Sequence, residues 1–222
     1  MNRSVHSSIR KQDGFGIVAA MSSNQVIGVN CSLPWRNLVQ DRNHFVHLTQ
    51  NRVLIVGRRT FALEDASLAH IQHSRVCIVV STSMKEEDLI AIKGNESEHS
   101  MPKLLLAGSF DDALKLARLE KHKIMTHDDE RTITYDHQDD ETIDCWVAGG
   151  ERIYKEALRH PHAMKVQLTH VDDIVDTSQY HDVAQFPLEE MYANNFKELS
   201  TRRDGKCKFS VYQRAENLNQ MP

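Results

Sequence analysis

Short, largely uninterrupted apolar runs alternate along this chain with stretches of helical spacing. The runs are Phe15 to Met21, Val53 to Val56, Val76 to Val80, Leu104 to Ala107, Cys145 to Ala148 and Val166 to Thr169. Such runs, bounded by turn residues, fit strands covered on both faces, the condition of a parallel sheet lying between helices. Gln40 to Thr49 carries Phe45 and Leu48 at helical spacing. Ser109 opens SFDDALKLARLE as an N-cap, with acids in the first turn and Ala113, Leu114 and Ala117 on one face. Glu151 to Leu158 follows a Gly-Gly turn and reads as another helix. Asn195 to Ser200 and Lys206 to Gln213 flank Arg202-Arg203-Asp204-Gly205, which predicts an antiparallel pair turning at Asp-Gly. The pattern predicts an α/β fold: one mainly parallel central sheet with helices on both faces and an antiparallel C-terminal edge hairpin. A single domain is expected over residues 14–215, between polar tails at 1–13 and 216–222. Lys85 to Ser100 and Lys121 to Glu141 lack a sustained apolar period and read as surface insertions.

Composition narrows the function classes. The net charge of -4 gives no basic balance that points to nucleic acid. No apolar run approaches the roughly 20 residues of a membrane span. The N-terminus is polar and lacks a secretory core, although its Arg, Lys and Ser leave an organellar transit segment open. Cys31, Cys77, Cys145 and Cys207 are widely spaced with no CxxC pair, so they read as free thiols of a reducing compartment. His122 and His127, near Asp128 and Asp129, read as solvated loop residues, and no metal site is expected.

Three constellations carry candidate chemistry. The first runs from Val26 through Gly28 to Leu33-Pro34-Trp35, with Asp41 six residues after Trp35. A lone acid near a helix start is ordinarily a cap or a dipole partner. The second is Gly57-Arg58-Arg59-Thr60 directly after an apolar strand, where two guanidinium forks suit phosphates. The third is Gly149-Gly150-Glu151-Arg152-Ile153-Tyr154 after another strand, where the glycines allow close backbone approach to a ligand. It is not GxGxxG, so an ordinary Rossmann fingerprint is absent.

In this order the three constellations resemble the dihydrofolate reductases. SFDDALKL, IYKEALRHP, LTHV and CKFSVYQ add to the likeness, which runs from about Phe15 to Tyr212 and is strongest to the monofunctional eukaryotic type. The resemblance implies NADPH-dependent reduction of dihydrofolate to tetrahydrofolate for one-carbon metabolism. It implies that Asp41 is the acid of the pterin pocket, Thr169 its hydrogen-bond partner, and Trp35 the holder of an ordered water. Ala19, Leu33, Arg42 and Phe45 would line the pterin pocket, and Arg75 would pair with the glutamate carboxylate of folate. Ala20, Ile27 and Gly28 would lie by the nicotinamide. Arg58, Arg59 and Thr60 would hold phosphates, and Ser81 and Thr82 would flank the adenosine. Ala148, Gly149, Gly150, Glu151, Arg152, Ile153 and Tyr154 would wrap the rest of the cofactor. Ser22 to Ser32 would form the lid. The expected protein is a cytoplasmic monomer with no membrane or specific nucleic-acid partner.

The chain also departs from that pattern. Arg42 and Gln72 replace apolar pocket residues, and Ala148 stands where a larger aliphatic is common. Gly108 and Thr82 stand where arginines approach the 2′-phosphate. Extra residues lie between Asp176-Thr177 and Phe186-Pro187. Two other readings stay open at this point: an NADPH-dependent pyrimidine reductase of riboflavin synthesis, and a non-catalytic folate- or NADPH-binding paralogue.

Overall fold

The computed structural model describes residues 14–35, 38–62, 70–93, 101–127 and 143–215, and each apolar run named above forms a strand. The order is β1 (Phe15–Ser22), β2 (Val26–Val29), α1 (Val39–Thr49), β3 (Val53–Gly57), α2 (Arg58–Phe61), β4 (Val76–Val80) and α3 (Glu86–Lys93). Then come β5 (Lys103–Ala107), α4 (Phe110–His127), β6 (Cys145–Val147), α5 (Glu151–Arg159), β7 (Ala163–Val171) and β8 (Val183–Gln185). The last elements are α6 (Leu188–Ala193), β9 (Phe196–Asp204) and β10 (Cys207–Arg214). Eight strands make one sheet, ordered β5-β4-β3-β6-β1-β7-β10-β9. Strands β5 through β7 are parallel, while β10 runs antiparallel to both β7 and β9.

Alternation along the strands builds two cores, one on each face of the sheet. Ile17, Ala19, Ile55, Ile78 and Val147 point to the face covered by α4 and α5, where Phe110, Ala113, Ile153 and Ala157 meet them. Val18, Leu54, Val56, Val79 and Trp146 point to the other, against Leu48 of α1, Phe61 of α2 and Leu89 of α3. Burial on both faces is why these strands read as continuous apolar runs.

Helix α4 starts as its sequence predicts. The Ser109 hydroxyl accepts the Asp112 N–H at 3.1 Å and donates to the Asp112 carboxylate at 2.7 Å, a reciprocal cap. Parts of both segments read as surface insertions are helical. Residues 86–93 form α3, which buries Leu89 in the second core and places Glu86, Glu87 and Asp88 in its first turn. Leu89 anchors it and an acidic start favours it, although a long apolar period is absent. Helix α4 continues to His127, so His122 and His127 lie on a helix and not in a loop. The remaining parts of both segments, 94–100 and 128–141, fall outside the described residues. The expected lid is also not a plain loop: its residues Val26–Val29 pair antiparallel with β8 in a separate small sheet. Among the described residues, no helix is long and apolar enough to cross a membrane.

Strand β1 packs against its neighbour's indole with no room for a side chain at Gly16. A Cβ there would come within 2.5 Å of the Trp146 ring, which is fully buried. Gly16→Ala should therefore cost about 1–3 kcal/mol by overpacking. Urea unfolding of the variant tests this, and an unchanged midpoint would contradict the packing described.

Candidate active site

The carboxyl ends of the parallel strands open into one large cleft, the place where sheets of this kind bind ligands. Ala19 and Ala20 of β1, Val56 and Gly57 of β3, Val80 of β4 and Ala148 beyond β6 form its floor. Leu38 to Val46 of α1 and its approach form one wall. The cleft holds about 1320 Å³, beyond the roughly 300–1,000 Å³ of a pocket for one small ligand. It is large enough for two ligands side by side.

Asp41 lies in the first turn of α1 and lines this cleft. It does not cap the helix: the cap position is Leu38, which makes no side-chain cap bond. The carboxylate instead accepts a hydrogen bond from the Thr169 hydroxyl. Thr169 is buried in β7, level with Ala20 of β1 and Phe209 of β10. Burial raises the Asp41 pKa above the usual carboxylate range, and the Thr169 bond offsets part of that rise. Burial also raises the Tyr154 phenol, helped by the nearby Asp41 charge. The phenol donates to the Val18 carbonyl at 2.9 Å and so ties α5 to β1. Trp35 lines the same cleft, and its buried indole N–H has no acceptor among the described residues.

The other arm of the cleft is rich in donors. Arg58, Arg59 and Thr60 follow the end of β3, and Arg152 follows the start of α5. Gly150 precedes α5 and provides no side-chain cap, so the first amides of that helix remain available to an anion. The Gly149–Gly150 peptide is cis, and Gly149 has φ of 102°. A Cβ on Gly149 would come within 2.8 Å of the Tyr154 ring, and one on Gly150 within 3.1 Å of the Thr60 hydroxyl. The Gly149 carbonyl accepts the Gly57 N–H at 2.6 Å, which holds the two loops together. Guanidinium forks, a hydroxyl and free amides around a glycine turn are the donor set that a dinucleotide's phosphates require.

Most of the residues singled out from the sequence converge here. Ala19, Ala20, Ile27, Gly28, Leu33, Trp35, Asp41, Arg42 and Phe45 line the cleft. So do Arg58, Arg59, Thr60, Ser81, Thr82, Ala148, Gly150, Glu151, Arg152, Ile153 and Tyr154. Thr169 and Gly149 stand directly behind the lining, each bonded to it. Arg75 is exposed and lies outside the lining; the cleft residues nearest it in sequence are Gln72 and His73. Sequence reasoning missed His70 and His73 at that end, and Asp182, Val183 and Ala184 at the other. The lengthened segment after Thr177 was visible, but nothing local showed that it crosses to the cleft. Among the described residues, no group of His, Cys, Asp or Glu is placed to hold a metal.

The parallel sheet thus carries a large cleft at its carboxyl edge, with guanidinium and hydroxyl donors along one arm and the enclosed Asp41 in the other. A family pattern described as dihydrofolate reductase matches residues 15–109. Dihydrofolate reductase of Rattus norvegicus is 25% identical over 210 residues, covering 90% of this chain and 96% of that protein. That of Bos taurus is 26% identical over 208 residues, with 89% and 95% covered. A solved dihydrofolate reductase from Enterococcus faecalis, complexed with NADP(H) and RAB-propyl, superposes with a TM-score of 0.58 at 17% identity. It covers 92% of this chain and 98% of its own, a likeness of fold. The chain is thus similar in sequence to dihydrofolate reductases over most of its length, and it shares their fold.

The raised Asp41 pKa has a consequence for stability. The native state holds this proton more tightly than the unfolded chain does. The associated stability is present below the unfolded pKa and is lost as pH rises through the folded one. Asp41→Asn should therefore be at least as stable as the wild type at pH 7, with the difference shrinking toward acid pH. Urea unfolding at both pH values measures it, and a clear loss of stability at pH 7 would count against the buried-carboxylate account.

Proposed function

We propose that this protein reduces 7,8-dihydrofolate to 5,6,7,8-tetrahydrofolate with NADPH and so supplies one-carbon metabolism. The observation that carries this reading is a single acid with a raised pKa, held by Thr169 in a cleft whose other arm is a phosphate cradle. NADPH supplies a hydride for pterin C6. The protein's task is to orient the pterin and bring a proton to N5. Asp41 accepts hydrogen bonds from the pterin N3 and 2-amino group, fixing its orientation and tautomer. Its raised pKa keeps a proton within reach at higher pH than an exposed carboxylate would. Thr169 holds the carboxylate in place, and the Trp35 N–H, which meets no acceptor among the described residues, suits an ordered water beside it. Leu33, Phe45 and Ala19 form apolar walls, and Arg42 adds a charge to the outer part of the pocket. Arg75 takes the carboxylate of the substrate's tail beyond the rim.

Arg58, Arg59, Thr60 and the start of α5 hold the cofactor phosphates, and Ser81 and Thr82 flank its adenosine end. Gly108 has open space around its α-carbon, so the donor set for a 2′-phosphate rests on the arginines after β3. The protein works as a monomer in the cytoplasm, a setting that suits its four free thiols.

Purified protein should consume NADPH only when dihydrofolate is added. Asp41→Asn should cut that rate by about 10²–10⁴, the usual contribution of a positioned acid. A wild type that binds both ligands without turnover would make the protein a non-catalytic binder. Thr169→Val removes the bond that favours the charged carboxylate, so the Asp41 pKa rises further. Because activity falls as this group loses its proton, the alkaline limb of the rate profile should move to higher pH in Thr169→Val. A shift to lower pH would contradict the assigned partner.

A further inference from the structure

One segment that the proposed reaction does not use reaches into its cleft. The chain between β7 and α6 crosses to the cofactor arm and is fixed there at two places. The Asp182 carbonyl accepts the Asn30 N–H at 2.8 Å, and the Asp182 N–H donates to the Asn30 side chain at 3.3 Å. Further on, the Gln185 N–H donates to the Glu151 carboxylate at 3.1 Å, at the start of α5. These bonds hold the Asp182 side chain at the turn after β2. Its carboxylate forms an ion pair with Arg59, on the far wall of the cleft. The same guanidinium nitrogen contacts the Cys31 thiol at 3.7 Å, and that thiol in turn lies 4.0 Å from the Asp182 carboxylate. Arg59, Cys31 and Asp182 all line the cleft.

From this arrangement we infer that Asp182 is an internal anion that occupies Arg59 until a cofactor phosphate displaces it, and so lowers affinity for the cofactor. The inference rests on the reading of this arm as the NADPH site. Both anions seek the same guanidinium. A phosphate carries more charge and more acceptor oxygens than a carboxylate, so it can displace Asp182, but only against the pair already formed. The remaining carboxylate then stands beside the phosphate as a like charge. Because the Asp182 backbone is bonded to Asn30, its displacement also loosens a tie between β2 and the wall that carries Arg59. The pair spans the cleft mouth as a latch.

The test is a titration of NADPH followed by intrinsic tryptophan fluorescence, with Trp35 in the cleft wall as reporter. Asp182→Asn should bind NADPH about two- to fivefold more tightly than wild type, the range that an exposed ion pair sustains. In an Arg59→Gln background the same change should give a clearly smaller gain, that of relieved like-charge repulsion alone, and dihydrofolate affinity should stay unchanged in both. Unchanged or weaker NADPH binding by Asp182→Asn would overturn the latch, as would an equal gain in the Arg59→Gln background. A wild type that binds no NADPH at all would overturn the cofactor reading, and the latch with it.

Discussion

Strand β1 is buried on both faces, so its peptide groups must find partners within the protein. It satisfies them with β6 on one side and β7 on the other. That one constraint assembles the cleft. It sets Thr169 level with Ala20, so the hydroxyl that meets Asp41 arrives from the strand beside the floor. It sets the end of β6 beside β1, so the glycine turn and Tyr154 come to the same edge. The Tyr154 bond to the Val18 carbonyl then pins α5 to the strand from which the floor is made. Shifting β1 by one residue would exchange the two cores and take the cleft apart.

Asp41 shows how the fold balances cost against use. A first-turn carboxylate on an exposed helix would be stabilised by the helix dipole and would titrate low. Here enclosure dominates, and the raised pKa records which effect wins. Thr169 keeps the group anchored without undoing that rise. The enclosure costs stability once the group ionises and leaves an acid that keeps its proton to higher pH than an exposed carboxylate would.

The strands were legible because burial on both faces leaves a continuous apolar run that no loop imitates. The donor-rich arm of the cleft was legible too, because Arg58-Arg59-Thr60 and Gly149-Gly150 are contiguous motifs directly after strands. Asp41 was harder to read. Its helix gives it no distinctive signature, and its partner Thr169 lies in a distant strand brought near by pairing alone. Family resemblance therefore identified the pair, and the sheet register supplies the physical reason. Helix α3 escaped notice because its segment is highly charged and lacks a long apolar period. The β2–β8 pairing escaped notice because both strands are short and their register depends on tertiary position. For the same reason Asp182, an unremarkable acid in a polar stretch, gave no sign that it would meet Arg59.

The four thiols differ sharply in their surroundings. Cys77, Cys145 and Cys207 are buried, and enclosure raises all three, Cys145 to about 12. Such groups hold little thiolate and are shielded from reagents. Cys31 alone is partly exposed, and it stands at the cofactor mouth beside Arg59. The native protein thus carries a built-in attachment point for a single reporter dye or a mild alkylating label, positioned to sense traffic through the cleft without any engineered cysteine.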